Sequence, residues 1–412
     1  MMKAALTACA AQAKARMDML PEGWRETKVG KEYSVQLGKM LNKVAKEKYP
    51  QFKYLTNINI RWGGFSVDNL NSMYFTESER KKFNLSFGDL LVCEGGDVGR
   101  CAIWENNLED CFYQKALHRV RSLHGNLTKY LGYILEYFSF IGKFKDIATR
   151  TSIAHLTKEK LENTSILLPP LPEQEKIAAI LSTWDKAIST TDALLANSRQ
   201  QKKALMQQLL TGKRRLPGFT GEWKVVRAGS VLHEEGARNR GSKITRVLSV
   251  TNQKGFVLPE EQFSKRVASD NIENYKIIKR GQFGYNPSRL NVGSFGRLDT
   301  FEEGILSPLY VIFSIRDEYI DSDFFLAWMH SGETRQRVKG STQGSVRESV
   351  SFNALASFPL NLPPLDEQRA IAAVLDAADR EIVLLEQKAA RLREEKKALM
   401  QQLLTGKRRV RL

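Results

Sequence analysis

Residues 202–215 read KKALMQQLLTGKRR, and residues 396–409 read KKALMQQLLTGKRR again. Fourteen consecutive identities at an offset of 194 mark an internal duplication. The match extends toward the N-terminus without an insertion. Leu168-Pro169-Pro170-Leu171 corresponds to Leu362-Pro363-Pro364-Leu365, Glu173-Gln174 to Glu367-Gln368, Ile177-Ala178-Ala179 to Ile371-Ala372-Ala373, and Asp185 to Asp379. Each copy carries the signals of one long helix. Pro169-Pro170 cannot continue an incoming helix, Pro172 suits the first helical position, and Asp366 stands in that place as an expected N-cap. Glu173, Glu175 and Glu367 put negative charge near the positive helix end. Gly212 and Gly406, each followed by Lys-Arg-Arg, close the copies.

Inside the first copy, Ile177, Leu181, Trp184, Ile188, Thr191, Leu195, Ser198, Lys202, Leu205 and Leu209 step by four and three without a slip. The second copy gives Ile371, Leu375, Ala378, Ile382, Leu385, Ala389, Leu392, Lys396, Leu399 and Leu403. This is a heptad seam. A helix of about 38 residues spans roughly 57 Å, too long to be covered by one small domain. Equal length and equal punctuation make each helix the natural mate of the other, with Thr191, Ser198 and the two seam lysines weakening the contact.

Removing the helices leaves two segments of similar size. Leu20-Pro21-Glu22-Gly23-Trp24 resembles the run from Leu216-Pro217-Gly218-Phe219 to Trp223, Phe87-Gly88-Asp89-Leu90-Leu91 aligns with Arg280-Gly281-Gln282-Phe283, and Val98-Gly99-Arg100 echoes the run from Val292-Gly293 to Arg297. Strands are expected at Tyr54–Ile60, Asp89–Glu94, Cys101–Trp104, Ala116–Arg121, Thr245–Val250 and Leu309–Ile315, and helices near 128–147 and 322–338. The expected organisation is a tail or short helix over 1–19, an α+β domain over 20–168, a long helix over 169–215, a second α+β domain over 216–362 and a long helix over 363–412. Antiparallel pairing of the helices into a coiled coil would relate the copies by a pseudo-twofold axis.

Lys+Arg number 63 against 46 Asp+Glu, a net +17, which favours a polyanionic partner. No apolar run approaches the ~18 residues of a membrane span. The alanine-rich stretch after Lys3 reads as a frayed tail rather than a secretion signal. Cys9, Cys93, Cys101 and Cys111 form no Cys-x-x-Cys pair, so a reducing, cytoplasmic setting is expected, with buried thiols and no metal site. Gly212-Lys213 and Gly406-Lys407 lack the upstream glycine and following Ser or Thr of a phosphate loop. Tyr285-Asn286-Pro287-Ser288 approaches an adenine-methyltransferase signature but lacks its second proline and aromatic. No catalytic residue is assigned.

The doubled Leu-Pro-Pro-Leu-x-Glu-Gln, the following Ile-Ala-Ala and the closing Leu-Leu-Thr-Gly-Lys-Arg-Arg resemble the conserved regions of type I restriction–modification specificity subunits. The Gly-rich turns at Gly88–Arg100 and Tyr285–Gly293 are similar to the family as well. The resemblance covers the whole chain. It implies two target-recognition domains, a bipartite asymmetric DNA site and no catalysis by this chain alone. It further implies two methyltransferase subunits using S-adenosylmethionine, and motor–nuclease subunits that add ATP and Mg. A self-contained methyltransferase or nuclease, and a coiled-coil adaptor without DNA specificity, remain as alternatives. Arg pairs with guanine, and Asn or Gln with adenine, where a loop approaches DNA. The candidates are Arg100, Gln114, Lys115, Arg150, Thr151, Ser152 and His155 in the first domain. In the second they are Asn286, Arg289, Asn291, Gln343, Ser345 and Arg347.

Overall fold

The computed structural model describes residues 20–144, 155–252, 255–261, 271–342 and 349–412. The chain divides into two compact units, one made of the chain up to Asp192 with Gln387–Leu412, the other of Ala193–Glu386. The long helices, Leu171–Leu209 and Leu365–Leu404, therefore each contribute a part to both units. Within each unit an α+β domain packs on antiparallel portions of the two long helices, joined by Asp192–Arg393 and Asp185–Lys396 in the first and by Arg199–Glu386 and Lys202–Asp379 in the second.

In the first unit, strand Arg25–Lys28 pairs antiparallel with Ser165–Leu168, delivering the chain directly to the first long helix. A four-stranded antiparallel sheet has the order Tyr33–Leu37, Leu117–Ser122, Leu90–Cys93, Cys101–Ile103. Helix Thr128–Phe140 lies on one face, where Gly132 allows close approach to Leu90. Its Tyr130, Leu131, Ile134 and Leu135 share one core with Ile177 and Leu181 from the first long helix and Met400, Leu403 and Leu404 from the second. The opposite face carries a second core over the sheet Asn71–Tyr74, Gln51–Leu55, Phe112–Tyr113.

The second unit repeats this plan. Lys224–Arg227 pairs with Pro359–Leu362, and the sheet order is Leu232–Glu234, Val311–Ile315, Phe283–Tyr285, Phe295–Arg297. In both units the strands thus run first, fourth, second, third across the sheet. The core is aromatic, with Phe283 and Phe313 stacked at 5.5 Å and Phe325 edge-on to both. Leu209, Leu210, Ile371 and Leu375 of the long helices complete it.

None of the ten seam positions in either helix is exposed. Ile177, Leu181, Leu209, Ile371, Leu375 and Leu403 are buried; Trp184, Ile188, Leu195, Leu205, Ala378, Ile382, Leu385, Leu392 and Leu399 are half-buried. The polar members are tied rather than loose. Lys396 reaches Glu136 and Asp185, each at 2.6 Å, and Tyr133 donates to Asp185 at 2.7 Å. Burial disfavours the Lys396 charge, but the two carboxylates outweigh it and hold its pKa above the usual lysine value. Lys202 pairs with Asp379, and Ser198 donates to Glu381.

Several expected boundaries shift. The second long helix starts at Leu365, so Asp366 lies in its first turn and is no N-cap; the Pro364 carbonyl accepts from the Glu367 and Gln368 amides. The helices end at Leu209 and Leu404, with Gly212 and Gly406 at φ +70 and +72 closing the turn that follows. The strand expected over Tyr54–Ile60 stops at Leu55, because Asn59 accepts from the Thr56 amide and folds Asn57–Asn59 into a turn. Thr245–Val250 shortens to a strand at Ser249–Thr251. The first domain helix ends at Phe140. The helix near 322–338 is two, Ser322–Met329 and Gly332–Thr342, because the Ser331 hydroxyl accepts from the Thr334 amide and starts the second. Cys9 and the 1–19 tail lie outside the described residues.

Glu173 and Glu367 do more than face a helix dipole. Both are fully buried. Glu367 accepts from Trp223 Nε1 at 2.9 Å and from Arg215 Nε at 2.9 Å and Nη2 at 2.5 Å. Glu173 accepts from Trp24 Nε1 at 3.2 Å and from Arg409. The neighbouring glutamines tie each long helix to its domain: Gln174 Oε1 accepts from the Leu127 amide at 2.9 Å, and Gln368 Oε1 from the Asp321 amide at 2.8 Å. These are the residues immediately before the domain helices.

Candidate nucleic-acid interface

Strand Leu90–Cys93 runs out of the sheet into a loop that returns at Arg100, whose carbonyl accepts from the Cys93 amide at 2.8 Å. Gly99 makes the return at φ +81 with the Phe144 ring packed where a side chain would stand. Four hydrogen bonds gather other segments here. Gln114 N–H donates to Leu55, Lys115 N–H to Lys39, Glu94 N–H to Ala116 and Leu156 N–H to Glu94, at 3.0, 2.9, 3.0 and 2.7 Å. The structure therefore brings Arg100, Gln114, Lys115 and His155 to one end of the first unit. Lys115 and His155 are exposed and Gln114 is half-buried. Arg100 is turned inward, donating through Nη2 to the Asn57 carbonyl at 2.8 Å and paired with Asp97 at 3.4 Å. It holds the loop rather than extending from it.

The second unit builds the same end differently. Strand Phe283–Tyr285 leads into a 3₁₀ turn, Pro287–Val292, where the Asn286 side chain accepts from the Ser288 amide at 3.1 Å. Gly293, at φ +90, ends the turn. Val350 N–H donates to the Pro287 carbonyl at 3.0 Å, the counterpart of Leu156 on Glu94. Arg289 is exposed; Asn291 is half-buried and its Oδ1 has no hydrogen-bond partner among the described residues. Where the first unit presents Lys115 two residues before Leu117, the second presents Leu309 before Val311, the two strands pairing with Cys93 and Tyr285 in the same way. Arg150, Thr151, Ser152, Gln343, Ser345 and Arg347 lie outside the described residues.

The family described as Type I restriction modification DNA specificity domain matches residues 21–197 and 306–394, together well over half of the chain. The chain belongs to the type I restriction–modification specificity subunits. It is 25% identical over 421 residues to the type I restriction enzyme MjaVIII specificity subunit of Methanocaldococcus jannaschii, covering 95% of this chain and 94% of the relative. The crystal structure of a type I restriction–modification S subunit from M. genitalium superposes with a TM-score of 0.59 at 13% identity, over 94% of this chain and 96% of that one. A solved chain described under complex assembly and conformational transition of the type I R-M system gives a TM-score of 0.58 at 18% identity, over 94% and 99%.

This specificity subunit has, among its described residues, no cluster of His, Cys, Asp and Glu suited to a metal and no helix long and apolar enough to cross a membrane. Cys93, Cys101 and Cys111 are buried and unpaired, and burial pushes the Cys93 and Cys111 thiols up to about 11 and about 12. Two features escape motif reading. One is the Glu–Trp–Arg clamp, although its Trp24 and Trp223 were visible in the matched segment starts. The other is a lysine-rich stretch after the first sheet strand, which has no motif.

His118 sits fully buried in the fourth sheet strand, with Nε2 donating to the Leu156 carbonyl at 2.8 Å. Burial lowers its pKa. The folded unit thus binds the neutral ring, while the unfolded chain takes a proton near pH 6.5. Stability from this site is complete above that pH and is lost as pH falls below it. Glu32 is held down to about 2 by its hydrogen bond from Arg25, so its own contribution persists down to about pH 4.5 and fades only as the pH falls further toward 2. Denaturant midpoints at about pH 7.5 and 5.5 should separate in the parent and lie closer in His118→Gln; an unchanged separation would exclude His118 as a source.

Proposed function

We propose that this subunit reads a bipartite, asymmetric site on duplex DNA, one half-site per unit. In this reading the helix pair sets the gap and offers the docking surface for two methyltransferase subunits. Arg289, Asn291 and Asn286 in one unit, and Gln114, Lys115 and His155 in the other, are the candidate contacts among the described residues. The sequence candidates Arg150, Thr151, Ser152, Gln343, Ser345 and Arg347 lie outside the described residues and stay candidates on the sequence alone. S-adenosylmethionine, ATP and Mg act on partner subunits, including the motor–nuclease subunits.

The observation that carries the reading is a repeated frame with unlike ends. The Leu156–Glu94 and Val350–Pro287 hydrogen bonds hold equivalent loops, yet the exposed side chains on those loops differ in charge and shape. Equal frames present readers at equivalent places, and unequal readers select unequal half-sites. The +17 net charge supplies the phosphate attraction common to both. A genome-wide adenine-methylation map of cells with and without this gene tests it. The expected loss on deletion is a single motif of two unlike blocks around a fixed unread gap; loss of a continuous motif, or of none, overturns the reading.

A further inference from the structure

We infer that Lys43, Lys46 and Lys48 of the first unit grip the sugar–phosphate backbone beside the turn that carries Gln114 and Lys115. The inference rests on the DNA-reading function proposed above. The segment is rooted at the candidate interface: the Lys39 amide donates to the Tyr113 carbonyl at 3.1 Å, and its carbonyl accepts from Lys115. Lys39 itself is turned inward, to Glu79 at 2.6 Å and the Tyr74 carbonyl at 2.8 Å, so it anchors rather than reaches out. The Asn42 side chain then caps a short helix, Lys43–Glu47, by accepting from the Ala45 amide at 2.8 Å. Ala45 is buried in the core that also holds Met73, and this fixes the helix against the unit. Lys43, Lys46 and Lys48 are left exposed.

Glu47 is the one acid in residues 39–53, against five lysines. Among the described residues Lys43 and Lys46 form no ion pair, and Lys48 lies 4.7 Å from the Tyr74 ring. Clustered like charges repel one another unless a polyanion faces them. Met40, Val44 and Tyr49, from 59% to 77% exposed, stand among these cations and suit packing on deoxyribose. Lysine is a point charge that binds phosphate without the fork needed to read a base edge. The second unit places cations at the same point of its chain: Arg238, Arg240, Lys243 and Arg246 follow its first sheet strand, with no acid in residues 236–246. There Arg238 is held by the Asn274 carbonyl and Arg246 by the Glu303 carbonyl, while Arg240 and Lys243 stay exposed.

The test is the full chain carrying Lys43→Gln, Lys46→Gln and Lys48→Gln together, titrated in salt against a duplex bearing the mapped site and a scrambled duplex of equal length. Losing three phosphate contacts makes the slope of log affinity against log salt shallower by about 2.7, so the fall between about 50 and 200 mM salt becomes about 40-fold smaller. Both duplexes should change alike, and the triple arginine variant should keep the parent slope. An unchanged slope in the glutamine variant, with the parent still preferring the mapped duplex, overturns the assignment, as does an altered sequence preference. A parent that prefers neither duplex defeats the functional reading instead; a shallower variant slope then still supports the phosphate grip.

Discussion

Adding one heptad to each long helix, after Asp192 in the first and after Glu386 in the second, should abolish methylation at the parental motif and move it to a motif with a gap about three base pairs longer. These insertion points are the boundaries at which each helix passes from one unit to the other. Seven residues preserve the stepping of the seam and add about 10 Å of rise, which is about three base pairs of duplex. The matching is not free. Seven residues fall about 20° short of two full helical turns, whereas three base pairs rotate the duplex by roughly 100°. Complexes carrying the lengthened subunit should therefore methylate the new site more weakly than parental complexes methylate theirs. At the parental spacing one half-site's base contacts are lost together. With about 1–3 kcal/mol per misread base pair, losing as few as three of them amounts to about a hundredfold or more. A methylation map of cells expressing the lengthened chain decides the matter: an unchanged gap would mean that something other than helix length sets it.

Much of this architecture is legible in the sequence because it is local or repeated. The seam from Ile177 to Leu209 is a matter of spacing, and every position in it turned away from solvent. Gly212 and Gly406 needed only their place after the last apolar residue. What was hidden depends on partners far along the chain. Glu173 looked like a residue suited to a helix start; its partners Trp24 and Arg409 lie 149 and 236 positions away, and only folding makes it a buried acceptor. Lys396 looked like a flaw in the seam until Glu136 and Asp185 closed on it. Arg100 looked like a base reader because it follows a glycine turn, yet its guanidinium serves the Asn57 carbonyl. The Lys43–Lys48 cluster carries no sequence signal for the opposite reason: a run of lysines reads as a solvated face, and only its root beside Lys115 gives it a direction.

Glu367→Ala should lower the stability of the second unit by about 1–3 kcal/mol, the cost of leaving the donors around a removed acceptor unsatisfied. Against the ~5–15 kcal/mol that holds a domain folded, this is a large fraction. The carboxylate is wholly buried and takes three hydrogen bonds, from Arg215 and from the Trp223 indole. Its loss leaves the indole N–H facing a cavity, and frees the segment after the first long helix from the start of the second. Glu367→Gln keeps an acceptor for Trp223 while removing the charge facing Arg215, so it should fall between parent and alanine variant. The first unit offers the matching lesion: Arg409→Ala takes away the guanidinium that pairs with Glu173 and nothing from the second unit. Urea unfolding followed by fluorine NMR of the fluorotryptophan-labelled chain, with the Trp24 and Trp223 resonances assigned among its six tryptophans, distinguishes the two clamps. An alanine variant whose midpoint matches the parent would show that the clamp contributes nothing. Glu367→Ala acting only at Trp223 while Arg409→Ala acts only at Trp24 would show that each unit is closed by its own clamp.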